Sequence, residues 1–260
     1  MNVSDKMYGV IVIGGHVQGL GITRIFGKNN IPVWLLDDQF INLTKHSKFS
    51  KKFIKYASGT LLETLLEIGK SGQAKNWLLM PTNDAHVEIL SKNHSTLSEY
   101  FKVSSPEFDV LNYFFNKRET YKLAAELEIP IPETHMPDSL EELSASEIRY
   151  PCIIKPAVMH TFYSKTKKKV FVCNNFEELK LNYAKALELI PKDEVIVQDI
   201  IPGSSEHQYS ACFMFDGSKS LVRLCARRAR QHPPDFGNAT TYAETVTIDE
   251  INQYLSLIHI

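Results

Sequence analysis

The sequence has few of the residues that mark metal, redox or membrane proteins. It contains four cysteines in 260 residues. None forms a CxxC pair, so we expect no zinc or thioredoxin-type site and predict that each cysteine is a small core residue. No apolar run approaches the roughly 20 residues of a membrane span, and residues 1–7 lack the pattern of a signal peptide. We therefore expect a cytoplasmic protein with no membrane partner.

Charge of one sign is not in excess either. The chain has 29 basic and 30 acidic residues, which gives a formal net charge of -1. Without a broad basic field, nucleic acid is not an expected partner. Apolar residues make up 43% of the chain, which is enough for a sizeable core in an ordinary globular protein.

The first part of the chain alternates between short buried strands and helices. An apolar strand is predicted over 8–13, a glycine-rich turn over 14–21, a helix over 20–28, and a second strand that ends at Asp37 and Asp38. This order is a βαβ unit, and we predict that residues 1–112 form a Rossmann-like α/β domain.

Two segments of this domain allow more than one interpretation. The turn over 14–21 could bind a dinucleotide, with Asp37 or Asp38 on the ribose, or its glycines could simply permit close packing of helix and sheet. The segment 81–84 follows another strand. It could hold an acceptor substrate, or Asn83 or Asp84 could cap the helix that follows.

The second half of the chain contains two lysines in unusual positions. Residues 116–127 predict an amphipathic helix with Lys117 at its start and Tyr121 among its apolar residues, and Lys155 ends an apolar strand. Burying an ammonium is costly unless an anion is its partner, and a nucleotide phosphate would serve. Alternatively, the lysine stem lies on the core while its head reaches water.

The third segment of interest is the strand that ends near 197–203. Main-chain groups beyond a strand end can hydrogen-bond an adenine edge, and Glu206 lies just beyond, where its carboxylate could accept from ribose hydroxyls.

Three segments resemble the ATP-grasp superfamily in their order and spacing. They are NKRETYKLAAELEIPIP (116–132), YPCIIKP (150–156) and VQDIIPG (197–203). The branch they most resemble is the carboxylate–amine ligases related to the large subunit of carbamoyl-phosphate synthase, and QHPPDFGNAT (231–240) fits a segment of that branch.

This resemblance implies an α/β fold in which a Rossmann-like pre-ATP-grasp domain precedes an incomplete ATP-grasp domain of α+β lobes at 113–254. It implies an ATP- and Mg²⁺-dependent ligase that joins a small-molecule carboxylate to an amine through an acylphosphate. The positions that it implies for ATP binding are Lys117, Lys155, Gln198, Asp199, Ile200, Ile201 and Glu206.

The chain departs from the family between residues 156 and 170, where a glycine-rich loop normally closes over the phosphates. This segment has no glycine, and it ends in Lys167, Lys168 and Lys169. These lysines could supply positive charge in place of backbone N–H groups, or they could form a solvated turn. We include Lys169 among the candidate ATP-binding residues.

Three arginines form a further cluster at Arg227, Arg228 and Arg230. They could bind a phosphate or a substrate carboxylate bidentately, or they could form a solvated strand edge. We take Arg227 and Arg230 as the candidate catalytic residues.

The last residues raise a second departure from the family. Its magnesium ligands, a Glu and a Glu-x-Asn pair, have no counterpart after Thr240, so we identify no metal ligand. Residues 255–260 resemble a translated sequencing adaptor and are predicted to be a non-native tail. We expect weak ATP binding without turnover.

Two alternatives stay open at this point. The chain could be a nicotinamide-dependent oxidoreductase that uses the turn over 14–21, or a non-catalytic nucleotide sensor. The acid, the amine and the oligomeric state, a homodimer included, also stay open.

Overall fold

A computed structural model describes residues 8–216, 219–232, 239–249 and 251. The chain divides into two compact units, which are Met1–Phe115 and Asn116–Ile260.

The first unit contains a parallel sheet of five strands. The strands are β1 (Val10–Ile13), β2 (Val33–Asp37), β3 (Ser50–Lys55), β4 (Leu78–Pro81) and β5 (Lys102–Val103). Their order is β3-β2-β1-β4-β5, and every pair is parallel. Every residue of the central strand β1 is buried, which explains its continuous apolar run. This strand order is that of a Rossmann-like sheet.

The helices of the first unit connect these strands. They are α1 (Val17–Lys28), α2 (Leu61–Ser71), α3 (Asp84–Lys92), α4 (His94–Ser98) and α5 (Phe108–Phe115). Helix α1 begins three residues before the predicted start at 20, so this prediction was wrong. The helix can begin early because Gly19 lies directly against the carbonyl of Gly14, where a side chain would not fit.

The second unit begins with a four-stranded antiparallel sheet. Its strands are β6 (Thr134–His135), β7 (Cys152–Pro156), β8 (Phe171–Cys173) and β9 (Val195–Asp199), in the order β6-β9-β7-β8. Its helices are α6 (Lys117–Glu126), α7 (Leu140–Ala145), α8 (Met159–Thr166) and α9 (Phe176–Leu189).

The two faces of this sheet differ in character because side chains alternate along each strand. Cys152 and Ile154 of β7 and Val195 and Val197 of β9 belong to a core cluster that includes residues of α9. The alternate residues of β7 and β9, among them Lys155, therefore lie on the opposite face. The residues of β7 and β9 on this second face are buried too, except for Lys155, which is half-buried.

A second antiparallel sheet completes the described part of this unit. Its strands are β10 (Gln208–Asp216), β11 (Lys219–His232) and β12 (Ala239–Val246), in the order β10-β11-β12. The register pairs Asp216 at the end of β10 with Lys219 at the start of β11. The branch-specific segment 231–240 lies largely outside the described residues, since 233–238 are not described, and the predicted tail at 255–260 lies wholly outside them.

Two further expectations were wrong. The segment 156–170 is not a loop, since it contains α8, because a stretch without glycine or internal proline can continue as a helix. Cys212 is exposed, whereas Cys152, Cys173 and Cys225 are buried as predicted. No helix in the described ranges has the length and apolar character needed to cross a membrane.

Candidate functional site

Two neutral side chains hold Lys155 on the face of the β6-β9-β7-β8 sheet that lies opposite the core cluster. Its Nζ lies 2.5 Å from the hydroxyl of Tyr121 and 2.5 Å from Oε1 of Gln198. The ammonium also lies 4.7 Å from the centroid of the Tyr121 ring, within the range of a cation–π contact. Helix α6 and strand β9 thus fix the end of a side chain that begins on β7.

A chain of hydrogen bonds fixes the orientation of Gln198. The hydroxyl of Thr134 donates to the carbonyl of Pro132 at 2.6 Å. Its lone pairs then accept from Nε2 of Gln198 at 2.7 Å. Because the amide nitrogen is used in this way, the amide oxygen faces Lys155. Gln198 is 4% exposed, so its arrangement is set by buried contacts.

Lys117 lies at the first position of α6, next to the end of β7. Asn116 caps the helix, since its side chain accepts from the backbone N–H of Arg118. The backbone N–H of Lys117 donates to the carbonyl of Ala157 at 3.0 Å, and its Nζ lies 3.4 Å from the same oxygen. Lys117 and Tyr121 are four residues apart and therefore lie on one side of α6. The fold consequently places Lys117 at the end of β7, the strand that carries Lys155.

Lys155 has no acidic partner in the part of the chain that the structure describes. Lys155 belongs to none of the ion pairs formed by the described residues. Both of its hydrogen-bond acceptors, the Tyr121 hydroxyl and the Gln198 amide oxygen, are neutral. The side chain is half-buried. A partly desolvated cation without a counter-charge is stabilised when an anion binds. This arrangement therefore favours an anionic ligand at the ammonium of Lys155.

The predicted adenine-binding residues follow at the end of β9. The ladder between β7 and β9 ends at the pair of Cys152 and Asp199, so Ile200 and Ile201 come after the last paired position. Ile201 is 70% exposed. These residues, with Asp199, line an open pocket of about 1360 Å³, whose lining does not include Lys155.

Asp199 itself is held at the edge of the sheet. Its backbone N–H donates to the carbonyl of Glu133 at 3.0 Å. Its Oδ1 is buried and has no hydrogen-bond partner among the described residues.

The predicted catalytic residues lie in the β10-β11-β12 sheet, and the predicted ribose-binding residue lies just before it. Glu206 is exposed in a short 3₁₀ helix, Ser205–His207. Arg227 hydrogen-bonds through Nε to Glu244 on β12 at 2.7 Å and pairs with it through a second nitrogen. The carboxylate of Glu244 raises the pKa of Arg227. Arg230 donates to the hydroxyl of Thr241 at 3.1 Å.

The three lysines after α8 lie in different environments. Lys167 and Lys168 are exposed, as expected of a solvated turn, whereas Lys169 is half-buried. Burial lowers the pKa of Lys169, and the positive charge of Arg228 lowers it further. The structure thus places Arg228, which the sequence did not select for this role, near Lys169.

In the first unit, the carboxylate of Asp37, the last residue of β2, contacts the glycine turn. Its Oδ2 accepts from the backbone N–H of Gly15 at 2.6 Å, and its Oδ1 accepts from that of Gln39 at 2.8 Å. Both carboxylate oxygens therefore bind the protein's own backbone. Asn83 caps α3 by accepting from His86 N, as one of the two interpretations of 81–84 predicted.

The site also contains two residues that sequence reasoning missed. Tyr121 and Thr134 hold Lys155 and Gln198, but a tyrosine on an amphipathic helix and a threonine in a short strand have no distinguishing pattern. The four-residue spacing from Lys117 to Tyr121 was the available signal. For a metal, the described residues contain no group of three or more His, Cys, Asp or Glu side chains that could hold an ion.

Comparison with known proteins identifies relatives that are ligases. The chain is 28% identical over 244 residues to D-aspartate ligase from Enterococcus faecium (strain Aus0004), which covers 86% of this chain and 57% of that protein. No protein-family model matches the chain.

Solved structures match the fold over most of the chain. The L-amino acid ligase from Bacillus licheniformis has a TM-score of 0.68 at 12% identity and covers 96% of this chain. An ADP complex of N5-carboxyaminoimidazole ribonucleotide synthetase has a TM-score of 0.66, also at 12% identity and 96% coverage of this chain. The chain spans 59% and 62% of these two structures, so it corresponds to little more than half of each relative.

Proposed function

We propose that this chain, which has the ATP-grasp fold and is similar in sequence to a ligase, is the nucleotide-binding part of an ATP-dependent ligase that joins a carboxylate to an amine. The proposal extends to the whole protein's activity, of which the chain would supply the ATP site. Similarity to D-aspartate ligase and L-amino acid ligase favours an amino acid as one of the substrates.

The observation that carries the proposal is the environment of Lys155. Two neutral acceptors fix its ammonium at 2.5 Å each, which leaves its charge for a ligand. Lys117 lies at the end of the same strand, since its Nζ is 3.4 Å from the carbonyl oxygen of Ala157. Two cations at the end of one strand fit the phosphates of a nucleotide, since phosphoryl transfer depends on positioning and on neutralisation of charge.

In the proposed reaction, a carboxylate oxygen attacks the γ-phosphorus of ATP, and ADP leaves. The amine nitrogen then attacks the carbonyl carbon of the acylphosphate, inorganic phosphate leaves, and an amide results. Lys117, Lys155 and Lys169 would hold phosphate oxygens throughout. The main chain of Ile200 and Ile201, next to Gln198 and Asp199, would contact the adenine, and Glu206 would accept from the ribose.

Arg227 and Arg230 are proposed to bind the transferring phosphate or the substrate carboxylate. The pair with Glu244 uses only part of the Arg227 guanidinium, which has further N–H donors in its fixed fork. Magnesium would accompany ATP, but the described residues offer no fitting ligand set. We assign it no residue and no step.

A nicotinamide-dependent oxidoreductase is less consistent with the first unit. A dinucleotide would need free backbone N–H groups at the glycine turn and a free acidic side chain for the ribose. Asp37 already accepts from Gly15 at 2.6 Å, so its negative charge lies where the pyrophosphate would bind. A non-catalytic nucleotide sensor would use the same site at Lys155.

Titration calorimetry with ATP tests the proposal. We expect binding by the unmodified chain and a roughly 10- to 100-fold loss of affinity in Lys155→Ala, the effect of one charge-assisted hydrogen bond. Lys180→Ala is the control, since Lys180 is an exposed lysine of α9, and its affinity should match that of the parent. Equal ATP affinity in Lys155→Ala and the parent would remove the basis of the proposal.

A further inference from the structure

We propose that Tyr121 is a positioning residue that presets the ammonium of Lys155 for nucleotide phosphates. This inference depends on the proposed function, since it assumes that Lys155 contacts phosphate. Tyr121 would not touch the nucleotide itself. It would act through the 2.5 Å hydrogen bond to Nζ and the cation–π contact at 4.7 Å.

The hydroxyl of Tyr121 can hold Lys155 because the start of α6 is itself tied to the sheet. Nη1 of Arg118 donates to the carbonyl of Asp193 at 2.6 Å, just before β9. Nη2 donates to the carbonyl of Met136 at 3.3 Å, just after β6. Together with the bond from Lys117 to Ala157 at the end of β7, these contacts fix α6 relative to three strands. Tyr121, one turn further along, therefore has a defined position.

The direction of the remaining Lys155 proton follows from the chemistry of the ammonium. A protonated lysine has three N–H donors and no acceptor, so the Tyr121 oxygen must accept from it. Oε1 of Gln198 accepts a second hydrogen bond from the Lys155 ammonium at 2.5 Å. With two donors directed into the protein, the third has one direction left, away from both acceptors. A phosphate oxygen that reaches the half-buried Lys155 side chain from solvent would complete the set.

The choice of neutral acceptors matters for affinity. A carboxylate at either position would form an ion pair with Lys155 and compete with phosphate for its charge. A tyrosine hydroxyl and an amide oxygen restrict the ammonium but leave the charge uncompensated. Holding a flexible side chain before the ligand arrives also reduces the entropy lost on binding.

The test is the variant Tyr121→Phe, which retains the ring and removes only the hydroxyl. We expect roughly three- to tenfold weaker binding of ATP and ADP, the range for one lost hydrogen bond. Binding of adenosine, which has no phosphate, should be unchanged. Tyr183→Phe is the matched control, since it removes the hydroxyl that lies 3.4 Å from the carbonyl of Pro137 within the core, and it should leave all nucleotide affinities as in the parent.

A second measurement follows Lys155 directly. In a limited acetylation experiment read by mass spectrometry, Lys155 should react faster in Tyr121→Phe than in the parent, while exposed Lys180 reacts equally in both. Unchanged ATP affinity in Tyr121→Phe, or an equal loss for adenosine, would overturn the role of Tyr121. If Lys155→Ala also binds ATP normally, it is the proposed function that fails.

Discussion

A histidine and a tyrosine share a partly buried hydrogen bond near the carboxyl end of β1 in the parallel sheet. Nδ1 of His86 lies 3.2 Å from the carbonyl of Ile13, and Nε2 lies 3.1 Å from the hydroxyl of Tyr56. A carbonyl only accepts, so Nδ1 carries the proton and Nε2 accepts from Tyr56. Burial lowers the pKa of His86. Burial, with smaller contributions from Asp38 and Asp37, raises the pKa of Tyr56 to about 12.

We predict that the free energy of unfolding of the first unit falls on both sides of a plateau. Below pH 6.5, the ordinary pKa of histidine, the unfolded chain binds a proton that folded His86 resists, so stability decreases as pH falls. Between 10.0 and about 12, the unfolded chain loses a proton that folded Tyr56 retains, so stability decreases as pH rises.

Urea unfolding followed by tryptophan fluorescence measures this profile, because both tryptophans of the sequence, Trp34 and Trp77, lie in the first unit. In His86→Gln, which cannot titrate, the decrease below pH 6.5 should be smaller than in the parent. An identical acid profile in both proteins would show that His86 has no part in it.

For individual residues, the sequence predicted the charged side chain of the site but not the neutral side chain that positions it. Lys155 could be selected because a lysine that ends an apolar strand is costly without an anion. Tyr121 could not, because its helical spacing indicates core packing and its hydroxyl acquires a role only when β7 lies beside α6. Whether the selected lysines, Gln198 to Ile201, Glu206, Arg227 and Arg230 act as predicted stays a prediction.

Among the elements, helix α1 contains two glycines with different surroundings, Gly19 and Gly21. A Cβ at Gly19 would lie 2.0 Å from the carbonyl oxygen of Gly14, which is backbone and cannot move aside, whereas a Cβ at Gly21 would meet nothing within 4 Å. Both positions are in the helix, where alanine is favoured over glycine by roughly 0.5–1 kcal/mol. The glycines of the turn thus have different roles, and Gly19 serves packing.

We predict opposite effects for two alanine substitutions in this helix. Gly21→Ala should raise the free energy of unfolding by up to ~1 kcal/mol, while Gly19→Ala should lower it by roughly 1–3 kcal/mol through the clash with Gly14. Urea unfolding of the two variants, followed by tryptophan fluorescence, tests the difference. Similar stability of both variants would contradict a packing role for Gly19.

Elements with a clear local signal were predicted well. Helix α6, Lys117–Glu126, lies within the predicted range 116–127, since its apolar spacing is regular and Asn116 caps it. Strand β3, Ser50–Lys55, was missed because its sequence, SKKFIK, contains three lysines and little alternation. Helix α8 was missed for a different reason, since a loop was expected there from the family resemblance and not from the residues.

For the whole molecule, the predicted fold class is confirmed, because the structure has a Rossmann-like sheet followed by antiparallel sheets and matches ATP-grasp structures over most of its length. The hydrophobic pattern of the sequence and the order and spacing of three motifs were enough to predict this fold class. The division at 112, the origin of residues 255–260, the cytoplasmic location and the oligomeric state stay predictions.

The most direct test of the nucleotide site is a crystal structure of the chain with ADP. We predict that the phosphates contact Nζ of Lys155, with Tyr121 and Gln198 still bonded to the same ammonium, and that the adenine lies against the main chain of Ile200 and Ile201. Phosphates bound at the glycine turn beside Asp37, with no ligand at Lys155, would contradict this account and favour a dinucleotide-binding protein.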